Sequence, residues 1–256
     1  MHRLEIGLTT VIIGALEVKE EIQVRMPRIL SGSLRCYAVF AMALPEQHED
    51  SRRLRLSFLL TAAFVAFLWF LKAVELLGGL DFSQYGVYPR RVEGLVGIAL
   101  APLIHGSVSH LFANTLPLLI LGTALLYGYP RSARRVIPVL YLGSGLAVWL
   151  FARSAWHIGA SGLTFGMTFF IFVIGALRWD RRAIALAMIV FFFYGSMIWG
   201  LFPTAPSISF ESHLAGAVFG VVLAFLLRDQ DPKPPEKHYT WENDGDGDEP
   251  LLPEDR

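Results

Sequence analysis

Crossing a bilayer takes a helix of about 20 mostly apolar residues, because the hydrocarbon layer is about 30 Å thick and each helical residue adds about 1.5 Å. Six stretches of this chain approach that length, at residues 56–77, 111–128, 135–152, 161–177, 183–201 and 212–227. Open strands would leave backbone groups unpaired in hydrocarbon, so each stretch is read as a helix. The expected fold class is all-α: a polytopic membrane protein, a bundle of six transmembrane helices whose first partner is the lipid bilayer. Composition agrees. The chain is 54% apolar and 13% aromatic over 256 residues, a balance that soluble domains of this size rarely reach.

Basic residues gather in every second connection. Arg52, Arg53 and Arg55 precede the first stretch, and Arg131, Arg134 and Arg135 separate the second from the third. Arg178, Arg181 and Arg182 lie between the fourth and fifth, and Arg228, Lys233 and Lys237 follow the sixth. The positive-inside rule then puts both termini in the cytoplasm, with Lys72, Arg90, Arg91 and Arg153 as exceptions on the outer side. Three parts are expected: residues 1–54, which carry no clear structural signal; a six-span domain over 55–228; and an acidic tail, 229–256. The tail is rich in Pro, Gly and acids and cannot bury enough apolar surface to offset chain entropy, so disorder is expected there. Organised sequence starts near Met42, where translation is expected to begin. The outer connection from Gly78 to Ser109 contains an apolar run, Gly94 to Ile104, too short to cross and expected to lie on or partly in the bilayer.

Zero net charge and the lack of a basic stripe outside the apolar segments exclude a nucleic-acid binder. The single cysteine, Cys36, excludes an internal disulfide and a Cys-based metal cluster. Three clusters of small or polar residues lie in the spans, where polar groups are costly and point to function. His110 and Asn114, in HGSVSHLFAN, are one helical turn apart and share a face. Ser161 stands in GASG at the first turn of the fourth span, among residues small enough to admit another backbone. His213, Gly216 and Gly220 follow one another along a face of the sixth span, and Gly162 and Gly166 repeat the device in the fourth.

Helices with such matching small faces approach closely enough for a serine hydroxyl and an imidazole to meet. A serine is a weak nucleophile until a neighbouring base takes its proton, and neutral imidazole suits that task. His110, the Asn114 amide and the Ser161 backbone N–H are candidate donors to the oxyanion of acyl transfer. Glu211 lies two residues from His213, off its helix face, so a dyad is expected rather than a triad. A metal site from His105, His110 and His213 lacks the carboxylate or cysteine that usually completes one, and a proton-relay transporter lacks a mid-span acid.

HLFAN at 110–114, GASG at 159–162 and HLAGAVFG at 213–220, in that order on the second, fourth and sixth of six spans, resemble the rhomboid family of intramembrane serine proteases over roughly residues 55–228. The resemblance implies Ser161 as nucleophile, His213 as base, and His110 with Asn114 as oxyanion donors. It implies no cofactor and no metal, and substrates that are single-span membrane proteins cut in or near their transmembrane helix. Phe165 matches an aromatic that packs on the catalytic histidine, and Gly159, Gly162, Gly216 and Gly220 are expected to support the site. Apart from the resemblance, His105 and His157 read as loop or interfacial residues, with His105 expected to brace the first outer loop. FPTAPSISFE at 202–211 looks like the family's flexible cap. The Trp-Arg pair many relatives carry in the first outer loop is missing; Pro89, Arg90 and Arg91 occur there instead. Six spans without a seventh resemble the simplest bacterial members, which implies a bacterial inner membrane.

Overall fold

The computed structural model describes the backbone of residues 32–203, 205 and 208–233, with side chains from Glu49 onward. The expectations for residues before Gly32 and for the tail beyond Lys233 lie outside the described residues. Contacts divide the chain into Met1–Arg52 and Arg53–Arg256. Of the first unit, the described part is helical throughout; the second unit holds the apolar spans.

Six helices are long and apolar enough to cross a membrane. They are α1 (Gly32–Gly78), of which Glu49–Gly78 is the spanning part, α2 (Val108–Gly128), α3 (Pro130–Phe151), α4 (Ser161–Arg178), α5 (Arg181–Leu201) and α6 (Phe210–Leu227). Each predicted stretch falls on one of them, and the fold is the expected all-helical bundle. Among the described residues the sole extended pairing is an isolated antiparallel bridge, Val87 with His157. The run Val92–Leu103 forms short helical turns in the connection between α1 and α2. The first helix begins far before its apolar run because Ala, Leu, Arg and Glu, all good helix formers, fill much of residues 34–55. α3 widens into a π turn at Val139–Gly143, just after Pro138, a proline that has no amide proton for the regular ladder. From that turn Tyr141 donates to the Ala99 carbonyl at 2.8 Å, tying α3 to the short helical turns.

α4 is the axis of the bundle. Of its spanning residues 67% are buried, against 17% for α1 and for α5. Phe170, Ile171 and Ile174 fill the core with Leu68, Leu121, Leu140 and Ala224 from its neighbours. The closest approach is between α4 and α6. A Cβ placed on Gly216 would overlap the Gly162 carbonyl, and one on Gly220 the Gly166 carbonyl. Lipid tails give helices no hydrophobic reason to associate, so this backbone-to-backbone packing supplies much of the attraction.

The end of the bundle away from Ser161 is held by charge. Arg178, buried at the end of α4, donates to Asp180 at 2.9 Å and to the carbonyls of Arg228, Asp231 and Pro232 at 3.2, 2.7 and 3.2 Å. The Asp231 carboxylate accepts from the amides of Arg131 and Ser132 and from the Ser132 hydroxyl, at 2.7, 3.0 and 2.6 Å. Arg178, read from sequence as an orientation signal, thus also knits the end of α6 to the α4–α5 connection, and Asp231 knits it to the α2–α3 connection.

Gly220→Ala should cost about 1–3 kcal/mol, the usual penalty of overpacking a tight contact. Gly143→Ala, whose new methyl would first meet the Phe219 ring at 3.3 Å, should cost less; denaturation of the two variants in detergent checks the difference.

Candidate active site

Ser161 is the first residue of α4. The backbone reaches it through Gly159, whose φ of 112° is a conformation side chains rarely adopt. A Cβ there would also lie 2.7 Å from His110 Cε1 and 2.8 Å from its Nε2, so the imidazole packs on the chain two residues before Ser161. α2, α5 and α6 begin with side-chain caps from Ser107, Asp180 and Ser209. α4 has none, which leaves its first-turn amides, that of Ser161 among them, without a capping side chain.

His213 lies buried in the first turns of α6. Its ring stacks on Phe165, with centroids 4.0 Å apart and planes 8° from parallel. Phe165 follows Ser161 by one turn and shares its helix face, so the imidazole lies within about 6 Å of rise from the serine along α4. His213 Nδ1 is 2.8 Å from the Gly200 carbonyl oxygen. A carbonyl only accepts, so Nδ1 carries the proton and Nε2 is left bare. Ser161 Oγ makes no hydrogen bond to His213 in this structure; catalytic pairs often close only when substrate binds.

His110, whose ring packs on Gly159, and the buried Asn114 both come from α2. Ser107 caps that helix by accepting from the His110 amide at 3.0 Å, and Asn114 Nδ2 donates to the His110 carbonyl at 3.1 Å. An amide nitrogen has two protons, so one remains for another acceptor. His105 stands behind, its ring edge-on to that of His110 at 5.0 Å. Its Nε2 accepts from the Ala160 amide at 3.4 Å, and its carbonyl accepts from Lys72 Nζ at 2.9 Å. Lys72 is paired with Glu75 at 2.8 Å, both buried. His105 therefore ties α1 and the first connection to the residue before Ser161.

The structure brings Gly159 against His110, Phe165 against His213, and Gly162 against Gly216. Sequence reasoning missed Gly200, whose role is a backbone carbonyl that no side chain announces. A Cβ there would meet Phe165 Cζ at 2.7 Å and His213 Nδ1 at 3.3 Å. It missed Lys72 as well, reading it as an exception to the charge rule when it is a buried brace. In the first connection Arg90 donates to the carbonyls of Leu150 and Ala152 at 3.3 and 3.0 Å, closing the end of α3.

A family model, the rhomboid domain, matches residues 93–230. The chain belongs to the rhomboid family. An uncharacterized protein of Mycobacterium bovis is 37% identical to this rhomboid over 174 residues, 64% of this chain and 72% of that protein. One of Mycobacterium leprae is 31% identical over 207 residues, 73% and 81% of the two chains. RHOMBOID-like protein 4 of Arabidopsis thaliana is 28% identical over 185 residues, 68% of this chain and 42% of the plant protein. The matched rhomboid domain takes in α2 to α6 and every candidate site residue, and with six apolar helices the chain is an integral membrane protein.

Burial lowers the His105 pKa to about 4 from an ordinary 6.5. The unfolded chain then binds more protons between those values, so stability is complete above about pH 6.5 and falls as pH drops toward 4. The loss should approach about 3 kcal/mol, and His105→Gln should unfold with a shallower dependence over that range, as pH-resolved denaturation would report.

Proposed function

We propose that this rhomboid is an active serine endopeptidase that cleaves single-span membrane proteins in or next to their transmembrane helix, with Ser161 as nucleophile and His213 as base. The observation that carries the reading is the Nδ1 bond of His213 to the Gly200 carbonyl, because it leaves Nε2 free to take a proton on the helix face that Ser161 shares with Phe165. The carbonyl does for this imidazole what a carboxylate does in a triad: it fixes tautomer and orientation. Glu211 is engaged elsewhere, with Arg153 at 3.5 Å, which suits a dyad.

Ser161 Oγ attacks the scissile carbonyl carbon as its proton passes to His213 Nε2. The oxyanion of the tetrahedral intermediate is received by the Ser161 N–H, the remaining Asn114 proton and the His110 ring. His213 then returns the proton to the leaving amine, the peptide bond breaks, and an acyl-enzyme remains on Ser161. Water, deprotonated by His213, hydrolyses that ester and restores the serine. No cofactor or metal enters these steps.

Substrate is expected to enter from lipid by movement of α5 with the cap that follows it. α5 buries few of its residues, as few as α1, and so has little packing to hold it against displacement. Of the cap, residues 204, 206 and 207 lie outside the described residues. The alternation of basic connections supports cytoplasmic termini, and the mycobacterial relatives support a bacterial inner membrane.

Cleavage of a single-span substrate by detergent-purified protein tests the assignment. Ser161→Ala and His213→Ala should each lower the rate by at least about 10³-fold while staying folded. His110→Ala and Asn114→Ala should each lose about 10²-fold, the usual worth of one oxyanion donor. Variants of Ser161 or His213 that cut as fast as wild type would refute the dyad.

A further inference from the structure

We propose that His157 is a positioning residue, one that sets His213 against Ser161 by holding the start of α6; the inference rests on the dyad assignment above. His157 is 4% exposed, in the connection between α3 and α4. Its Nε2 lies 3.0 Å from the Arg153 carbonyl oxygen and its Nδ1 2.6 Å from the Ser209 hydroxyl. The carbonyl can only accept, so Nε2 carries the proton, and Nδ1 of the neutral ring accepts from the Ser209 O–H. With its proton so committed, the Ser209 oxygen faces the Ser212 amide at 3.4 Å as the cap of α6. Three groups thus donate in one direction, from the Ser212 amide through Ser209 and His157 to the accepting Arg153 carbonyl, and each bond polarises the next.

Ser209 is also the residue to which His213 itself is tied. Its backbone carbonyl accepts from the amides of Ser212 and His213 at 3.2 and 3.4 Å. His157 precedes Ser161 by four residues and Ser209 precedes His213 by four. The bond between them therefore stitches together the two segments that deliver nucleophile and base. The His157 backbone is fixed in turn, exchanging bonds of 2.8 and 2.9 Å with Val87. Arg153 reinforces the join by donating to the Ile208 carbonyl at 2.6 Å and pairing with Glu211.

The glycine contacts between α4 and α6 begin at Gly162 and Gly216, deeper than the stitch. Without His157 those contacts persist, while the first turn of α6 loses the partner of its cap. A displacement of about 1 Å at a reacting group can cost about 10²-fold in rate. A histidine that merely filled space would affect stability and leave the rate per folded molecule intact.

The test is a double-mutant cycle on full-length enzyme in detergent, cleaving a single-span membrane substrate, with rates normalised to folded protein and Ser161→Ala as blank. His157→Ala and Ser209→Ala should each lower kcat about 10- to 100-fold with KM unchanged. The double variant should be no worse than the poorer single one, because both break the same chain, and Ser209→Thr should recover most of kcat. Losses that multiply, or an unchanged kcat per folded molecule with lowered thermal stability alone, would overturn the inference. A Ser161→Ala blank that cleaves like wild type would overturn the dyad reading and this inference with it.

Discussion

The rest of the structure depends on how near α6 comes to α4. Two helices in lipid gain nothing from burying apolar side chains that lipid would cover as well, so their pairing rests on surface fit and dispersion. Glycines at 162, 166, 216 and 220 remove the side chains that would hold the backbones apart, and the carbonyls of Gly162 and Gly166 occupy the vacated space. That contact fixes the rotation and depth of α6 on α4. Since Ser161 precedes Gly162 directly and His213 stands one turn before Gly216, the packing device is also what brings the proposed nucleophile and base to one end of one helix pair.

Around this axis the remaining groups hold the upper end still. Gly159 lets His110 touch the chain before Ser161, Phe165 gives the His213 ring a flat support, and the Gly200 carbonyl selects its tautomer. Gly200 belongs to α5, a helix with little buried surface. Any outward motion of α5 that admits substrate would therefore also loosen the bond that prepares His213, and its return would restore it. On the proposed reading, access and reactivity are coupled through that one hydrogen bond. At the other end, the Arg178 and Asp231 clasp holds the far ends of α4 and α6 together.

Much of this was legible in the sequence because bilayer thickness is a severe constraint. The six apolar runs, the glycine faces and the order of the polar clusters follow from length, periodicity and cost, and they led to the helical bundle without any structure. What the sequence withheld was of two kinds. Backbone groups carry no signature: the Gly200 carbonyl and the uncapped start of α4 are visible only once the chain is folded. Side chains whose partners are distant in sequence were read one at a time, so Lys72 and Arg178 registered as charges and His157 as a loop histidine. Their partners, at His105, Asp231 and Ser209, stand 33, 53 and 52 residues away, beyond the reach of any local spacing rule.

The most direct measurement is to treat the purified protein with a fluorophosphonate, which esterifies only an activated serine, and to locate the adduct by peptide mass spectrometry. Among the serines of the chain, Ser161 alone should be labelled, and His213→Ala should abolish the adduct while Ser161 remains in a folded protein. Labelling at another serine, or labelling of Ser161 that persists undiminished without His213, would contradict the assembly of nucleophile and base by the α4–α6 pair.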